Sequence, residues 1–459
     1  MTLRQTVLVR GGRRLLRPLD LCFLLLLGAC GNGQSGEGGI APAQDRPTSE
    51  PTVGIELRNG HWFLGDDFED RTRYIVGGLL SSAAPDTVTR VMDLEGGYVI
   101  PPFGEAHNHR PDGWPGTTEG HVAQFLEHGI FYVMNPNSFP SQTDGIEGEL
   151  NTPGSIDVVF ANGGLTPPGS HVTELYERNL ERGVFPDGWT SEQLDGDGYF
   201  VIRDTRDLEA KWPSLIAGRP DFVKVFMGFS EDYDARRDDP GFVGKRGIDP
   251  ALVPEIVERS HAEGLRVAAH IETAEDFRVA VAAGVDLIAH MPASWRVGEA
   301  AGYPDDSIDR WLLDDDDAAA AAVSDVIVVA HVFNGFADPR IDQIHRHNLA
   351  LLKSHGVRLA IGSDNYRQTS LREAVYLQST GLFTPAEVLR IASRNTAQAI
   401  FPNRRIGVLE DGFEASFLVV DRDPIRQPLF AGPEGDPTSG VQQAVGRIRL
   451  RVKQGLITP

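Results

Sequence analysis

Histidine side chains recur in this sequence directly after short apolar runs, where strands of a parallel sheet would end. His107 and His109 stand two positions apart, so in extended backbone both imidazoles point to the same side and can reach one cation. A single His-x-His pair is common on surfaces and in cores, and its weight here comes from the similar residues elsewhere in the chain. His270 and His290 each close an apolar run, a position from which a neutral imidazole can bind zinc or a similar metal.

A lysine and an aspartate occupy comparable positions. Lys224 lies within Phe222-Val223-Lys224-Val225-Phe226, a segment otherwise suited to burial on both sides. A buried ammonium group is costly, so Lys224 is either paired with a carboxylate, extended to the rim of the sheet, or converted by carbon dioxide to a carbamate that bridges two metal ions. Asp364 follows the apolar run 359–361 and is either a proton acceptor beside such a centre or the N-cap of the next helix.

A (β/α)8 barrel would bring these residues together, because its active site lies at the carboxyl ends of the strands. Between about residues 98 and 400, short apolar runs alternate with longer segments of helical period, which predicts βα units and a parallel sheet. The predicted strands are 98–100, 130–134, 156–161, 222–227, 265–269, 286–289, 326–330 and 357–361.

The segments on either side of this region have a β pattern instead. Short apolar runs and turn residues fill 51–98, and strand-like runs return at 405–409, 415–420 and 445–452. The predicted fold is therefore an α/β, TIM-like (β/α)8 barrel over 99–404, inserted into a small β-sandwich domain that 51–98 and 405–459 form together. The acidic run 314–317 is interpreted as a helix start rather than a cation site, since acidic residues there favour the helix dipole.

The N-terminus has the pattern of an export signal. Five arginines precede the apolar run 21–27, and Leu27-Gly28-Ala29-Cys30 resembles the lipobox of bacterial lipoproteins. This predicts a signal peptide over 1–29, a lipidated Cys30 and a flexible tether over 30–50. The mature protein would be an exported lipoprotein on the periplasmic side of the cell envelope, held at the outer membrane by its lipid anchor alone. The alternative is that Cys30 is a thiol in a disordered tail.

Composition excludes several other classes of function. The only other cysteine, Cys22, lies within the predicted signal, which removes disulfides, cysteine nucleophiles and cysteine-type zinc sites from consideration. The formal net charge of -22 disfavours nucleic acid as a partner. An anionic substrate would need local positive charge, which bound metal ions could provide.

Several longer stretches resemble the amidohydrolase superfamily, specifically its imidazolonepropionase-like and prolidase-like members with a binuclear metal site. The similarity spans nearly the whole mature chain, and its most specific stretch is 270–290. The segments that carry it are 97–101, 270–274, 283–290, 393–397, 406–412 and 418–421. One departure precedes the first histidine pair, where Pro102-Phe103-Gly104-Glu105 replaces the usual Gly-hydrophobic-hydrophobic-Asp.

The resemblance implies a set of metal ligands. His107, His109 and Asp364 would bind one divalent ion, His270 and His290 would bind the other, and carboxylated Lys224 would lie between them. Zinc is the metal expected for both positions. The list of implied metal ligands is His107, His109, Lys224, His270, His290 and Asp364.

The expected activity is hydrolysis of a carbon–nitrogen bond in a small amide, cyclic amide or dipeptide. A hydroxide bridging the two metals would attack the carbonyl, and Asp364 would take the water proton and deliver it to the leaving nitrogen. His171 and His331 are predicted to face the substrate, with loop packing an equal alternative for His171. Segments 135–155, 163–200 and 229–248 are predicted to form the pocket.

Three questions stay open from the sequence. A phosphotriester or lactone substrate is compatible with the same ligand set. A catalytically silent lipoprotein that uses the barrel as a binding module is the alternative from another functional class. The oligomeric state is also undetermined.

Overall fold

The computed structural model describes residues 51–458, apart from 115, 186–187, 305–306 and 433–435. The predicted signal peptide, the lipidation site Cys30 and the tether over 30–50 lie outside the described residues. No helix within the described part of the chain is long and apolar enough to cross a membrane.

Strands fall into three groups of hydrogen-bonded neighbours. The strands are β1 (Val53–Phe63), β2 (Phe68–Val76), β3 (Leu79–Ser81), β4 (Thr87–Ile100), β5 (Phe103–Glu105), β6 (Ile130–Asn135), β7 (Asp157–Phe160), β8 (Gly164–Thr166), β9 (Tyr199–Val201), β10 (Phe222–Phe226), β11 (Arg266–His270), β12 (Leu287–Ile288), β13 (Ile327–Ala330), β14 (Arg358–Ile361), β15 (Phe417–Val420), β16 (Ile448–Lys453) and β17 (Leu456–Ile457).

Helices connect most of these strands. The α-helices are α1 (Thr118–Glu127), α2 (Pro140–Thr143), α3 (His171–Glu181), α4 (Ser191–Leu194), α5 (Thr205–Ala217), α6 (Tyr233–Arg236), α7 (Val253–Ala262), α8 (Ala274–Ala283), α9 (Asp315–Ser324), α10 (Pro339–Ser354), α11 (Leu371–Ser379), α12 (Pro385–Arg390), α13 (Thr396–Ile400) and α14 (Pro437–Gly446). A π-helical segment, Ile391–Asn395, joins α12 to α13. Short 3-10 helices cover Glu147–Glu149, Ser230–Asp232, Pro240–Phe242, Pro250–Leu252, Gly298–Ala301, Asp309–Trp311 and Phe333–Phe336.

One mixed sheet combines the two flanks of the chain, in the order β17-β16-β15-β4-β1-β2-β3. Strand β4 runs parallel to β1 and antiparallel to β15, where Leu418 pairs with Ile100. Early and late segments therefore share one ladder, as the predicted insertion of a barrel into a β-domain requires.

The barrel is built from parallel strands of the other two sheets, ordered β14-β13-β12-β11-β10-β8-β9 and β5-β6-β7. Backbone hydrogen bonds next to the strand ends join these sheets on both sides. The amide of Asp221, just before β10, donates to the carbonyl of Phe160 at 2.8 Å, and the amide of Ala106 donates to the carbonyl of Ile361 at 2.9 Å. Strands β5, β6, β7 and β10 to β14 thus form the closed eight-strand arrangement of a (β/α)8 barrel.

The predicted position of the first barrel strand is wrong. Residues 98–100 form the end of β4 and pair with β15 in the mixed sheet, while the barrel begins at β5. Pro101 and Pro102 separate the two strands, and proline has no N–H to donate to a ladder. Two strands predicted near the C-terminus also differ from the structure. Residues 405–409 do not form a strand, and the predicted strand 445–452 begins at 448, the first residue of β16.

Capping explains where several barrel helices begin. Asp314 is the N-cap of α9 and forms a capping box with Asp317, so the acidic run marks a helix start. Thr384 caps α12 in the same way, with Glu387 at the third helical position. Such side chains satisfy the N–H groups that the first helical turn leaves without partners.

A buried ion-pair network joins the mixed sheet to the barrel. Lys453 in β16 is 0% exposed and donates to Asp157 Oδ1 at 2.6 Å and to the Thr152 carbonyl at 2.6 Å. Arg404 donates to the other oxygen of Asp157 at 2.9 Å and to Glu414 at 2.8 Å. The carboxylate of Asp157 is therefore paired on both oxygens, which is what a buried charge requires.

Candidate active site

Barrel closure places Asp364 beside the first histidine pair. The amide of Asp364 donates to the carbonyl of His107 at 2.7 Å. A Cβ atom on Gly362 would lie 2.6 Å from both the amide nitrogen and the Cβ of His107, so glycine is needed where β14 approaches β5. Asp364 itself has a positive φ of 44°, a left-handed conformation that turns its carboxylate toward the histidines.

Three imidazoles surround the Asp364 carboxylate. Oδ1 lies 2.8 Å from His109 Nε2 and 3.3 Å from His107 Nε2, and Oδ2 lies 3.6 Å from His290 Nε2. Ligand atoms of His107, His290 and Asp364 all lie within 4.8 Å of one another, a spacing that could hold a metal ion. The three side chains come from the ends of β5, β12 and β14, as the sequence predicts for strand-end residues.

The barrel sets the tautomer of His107. Its Nδ1 lies 3.0 Å from the backbone carbonyl of Ala289, which can only accept a hydrogen bond. The proton therefore resides on Nδ1, and the lone pair of Nε2 points toward Asp364 and His290. Fixing a ligating histidine through its second nitrogen is the usual arrangement around a protein-bound metal.

Further imidazoles continue this cluster into a row. Ring centroids lie 4.4 Å apart for His107 and His290, 4.6 Å for His290 and His270, and 4.4 Å for His270 and His171. His270 Nε2 also lies 3.3 Å from Oε1 of the buried Glu272.

The far end of the row forms a second possible metal group, composed of His171, His270 and Glu272. His270 lies next to His171 and Glu272 on one side and to His290 on the other, so the sharing of one ion by His270 and His290 that the resemblance implies stays a prediction. Sequence reasoning missed Glu272, although it stands two residues after His270 at the same strand end. That i, i+2 spacing, already used for His107 and His109, was the available signal.

Burial keeps four of the imidazoles neutral. It is the main cause that lowers the pKa of His107, His171, His270 and His290 well below the usual value. Burial acts to raise the pKa of Asp364, but His107, His290 and His109 together hold it well below the ordinary range. Neutral imidazoles beside an ionised carboxylate form a donor set that fits zinc or a similar divalent cation.

Lys224 is 1% exposed, and its Nζ has no hydrogen-bond partner among the described residues. The interpretations as an ion-paired or rim-extended lysine therefore fail. Burial lowers the pKa of Lys224 to about 7, with Asp364 opposing the shift. An amine that is substantially neutral near pH 7 is the form that adds to carbon dioxide, so this orphaned nitrogen fits the predicted carbamate.

Glu105 links the strand that precedes the histidine pair to the segment that follows Asp364. One carboxylate oxygen accepts from the Ser363 amide at 2.8 Å, and the other accepts from the Ser363 hydroxyl at 3.0 Å and the Ser370 amide at 2.6 Å. Burial raises the pKa of Glu105 to about 8. Ser370, and not Asp364, is the N-cap of α11, so the alternative of a capping role for Asp364 is not what the structure shows.

A cavity of about 400 Å³ opens over the cluster. His171, the first residue of α3, lines it, whereas the buried His331 lies behind, with ring centroids 5.5 Å from His290 and 5.0 Å from Trp295. Of the predicted pocket segments, only 163–200 contributes to the walls. The lining residues are His107, His109, His171, Val172, Glu174, Leu175, Tyr176, Arg178, Phe226, His270, Glu272, His290, Trp295, Arg296, Asp364, Asn365, Tyr366 and Arg367.

Solved structures share this fold at low sequence identity. A crystal structure of an amidohydrolase has a TM-score of 0.63 and 19% identity, covering 88% of this chain and 98% of its own. A Xaa-Pro dipeptidase with bound methionine has a TM-score of 0.63 and 16% identity over 88% of this chain and 99% of its own. An A. niger ochratoxinase has a TM-score of 0.64 and 14% identity over 89% and 96%. Identities this low establish the fold alone.

Sequence comparison adds a family match over part of the chain. No curated protein matches the chain significantly. The model of the amidohydrolase family matches residues 244–444, a range that includes His270, His290 and Asp364. Such a family match supports hydrolase activity. Residues 244–444 are therefore similar to the amidohydrolase family, and the chain shares its fold with solved structures of an amidohydrolase and a Xaa-Pro dipeptidase.

Proposed function

We propose that this protein is a metal-dependent hydrolase that cleaves the carbon–nitrogen bond of an amide, a cyclic amide or a dipeptide. The observation that carries the proposal is the unpartnered Lys224 nitrogen, buried beside neutral imidazoles and the Asp364 carboxylate. A buried amine without a partner destabilises the fold, so its presence at this position is explained by a ligand that uses it.

The residues that would hold two divalent ions are those at the strand ends. His107, His109, His290 and Asp364 surround one end of the row, and His270, with His171 and Glu272 beside it, forms the other. Lys224 as a carbamate would bridge them. When bound, two zinc ions would supply a water that is nucleophilic at neutral pH and an electrophile for the substrate carbonyl.

Asp364 would move the proton. Its Oδ2 accepts a hydrogen bond from Trp295 Nε1 at 3.0 Å, which holds the carboxylate at the cavity floor. A low pKa keeps Asp364 ionised and able to accept a proton before passing it to the leaving nitrogen.

The test combines metal analysis with an activity screen. The purified wild-type protein is expected to contain about two metal equivalents per chain and to hydrolyse a member of a panel of N-acyl amino acids, Xaa-Pro dipeptides and cyclic ureides. Lys224→Ala should lose metal and activity together. Lys353→Ala is the matched control, because Lys353 pairs with Glu387 at 2.8 Å and does not line the cavity.

Two outcomes count against the proposal. Full metal content and activity in Lys224→Ala would remove the bridging role. Less than one metal equivalent in the wild type, with no hydrolysis across the panel, would favour the catalytically silent binding module instead.

We also propose that the chain is exported and anchored through Cys30, as its lipobox predicts. Metabolic labelling with radioactive palmitate should mark the wild-type protein in the membrane fraction. A Cys30→Ala variant that retained the label would contradict the proposal.

A further inference from the structure

Arg296 is a cationic side chain at the cavity that the proposed mechanism does not use. It lies on the segment after β12, eight residues beyond the end of that strand, and lines the cavity with His171 and Glu272. Its Nη1 donates to the carbonyl of Gly244 at 2.6 Å. This bond holds the guanidinium from one edge, and the remaining N–H groups are available to a ligand.

Arg296 forms no direct ion pair, although its charge opposes the rise in the pKa of Glu272 that burial causes. Of the other two arginines at the cavity, Arg178 forms an ion pair with Glu174 at 2.8 Å and Arg367 is exposed to solvent. Within the described residues, no carboxylate lies at ion-pair distance from Arg296. In a chain with a formal net charge of -22, a half-buried guanidinium without a carboxylate partner is unusual and indicates an anionic ligand.

The rest of the cavity wall is largely apolar. Val172, Leu175 and Phe226 contribute hydrocarbon surface, and Trp295 stands 44% exposed at its edge. An exposed indole in a cavity wall is suited to contact with an apolar group of a ligand. A matching molecule therefore has one carboxylate and one apolar portion.

We propose that Arg296 determines specificity by binding a carboxylate of the substrate. The inference rests on the proposed function and narrows it: the substrates are amides with a free carboxylate, namely N-acyl amino acids or dipeptides, rather than neutral cyclic amides or phosphotriesters. The planar guanidinium can bind a carboxylate through two parallel hydrogen bonds, which fixes the orientation of the scissile bond relative to the strand-end cluster.

A matched pair of ligands tests this inference by binding. N-acetyl-L-phenylalanine and N-acetyl-L-phenylalanine amide have nearly the same shape and differ in charge. Isothermal titration calorimetry on the metal-free and zinc-loaded protein should show tighter binding of the acid. Arg296→Gln should weaken the binding of the acid by roughly 10- to 100-fold, the range expected for a charged hydrogen bond, and should leave the affinity for the neutral amide unchanged.

Two further variants exclude trivial explanations. Arg296→Lys keeps the charge but loses the fork geometry, so it should retain part of the preference. Arg426→Gln removes the same charge from a side chain that is 86% exposed and absent from the cavity wall, and should bind like the wild type. Thermal unfolding checks that each variant is folded.

The outcomes separate this inference from the proposed function. Equal affinity for acid and amide in the wild type, or an acid preference that persists in Arg296→Gln, would overturn the role of Arg296. A preference that depends on Arg296 without any hydrolysis would leave the carboxylate site intact and count against the hydrolase. Hydrolysis of neutral and acidic amides at the same rate would support the hydrolase and refute the inference.

Discussion

Replacing Lys224 by methionine should make the metal-free protein more stable and the metal-loaded protein less stable. The side chain is 1% exposed, and burial lowers its pKa to about 7 from the ordinary lysine value of 10.5. Each unit of pKa shift corresponds to about 1.4 kcal/mol. At pH 7.5 the unfolded chain would still hold the amine protonated while the folded chain holds it mostly neutral, which lowers the free energy of unfolding by about 4 kcal/mol.

The pH dependence gives this prediction a sign. Between about pH 7 and 10.5 the unfolded state binds more protons at Lys224 than the folded state, so the stability of the metal-free wild type should rise with pH. Methionine has a similar volume and no proton to bind. Lys224→Met should therefore gain about 2 to 4 kcal/mol at pH 7.5 and lose this part of the pH dependence.

Urea unfolding in the presence of a chelator, at pH 7.5 and pH 9, measures the stability of the metal-free proteins. The same urea titration with added zinc measures the stability of the metal-loaded proteins, because a metal that binds only the folded state stabilises it by mass action. Lys353→Met is the control, since Lys353 is 35% exposed and its ion pair should contribute less than about 1 kcal/mol. A metal-free Lys224→Met protein that is less stable than the wild type, or that keeps the wild-type pH slope, would refute the reasoning.

Three other variants probe the scaffold. Glu105→Ala leaves the buried amides of Ser363 and Ser370 without their acceptor and removes the shorter hydrogen bond of the Ser363 hydroxyl. The substitution should lower the free energy of unfolding by about 3 to 5 kcal/mol, measured in urea; a change under about 1 kcal/mol would contradict the linking role. Lys453→Ala leaves the buried Asp157 paired with Arg404 alone and should lower the free energy of unfolding by about 3 kcal/mol. An unchanged urea unfolding curve would argue against a stabilising ion pair between Lys453 and Asp157. Burial raises the pKa of Glu373 to about 8, so the stability of the wild type should fall as the pH rises from about 4.5 to 8. Thermal unfolding at pH 5.5 and pH 8 should show a smaller loss of stability for Glu373→Gln. The same loss in both proteins would disprove this prediction.

The sequence by itself determined the barrel and most strand ends. Runs such as 222–226 and 358–361 have local patterns that fix their strand type, and residues at the ends of parallel strands must meet at one rim. For this reason His107, His290 and Asp364 could be assigned to one site without coordinates. The start of the barrel was misplaced because 98–100 is as apolar as a barrel strand, and only its pairing with β15 shows which sheet it joins.

Only the tertiary structure decided which side chains surround the predicted ligands. The contact of His270 with His171 and Glu272, the lack of a partner for Lys224 and the position of Arg296 all depend on distances between segments far apart in the chain. Periodicity reports which face of an element is buried, but it carries no information on which side chains approach one another across a closed barrel. Those approaches are set by strand register and loop path, which are properties of the folded chain as a whole.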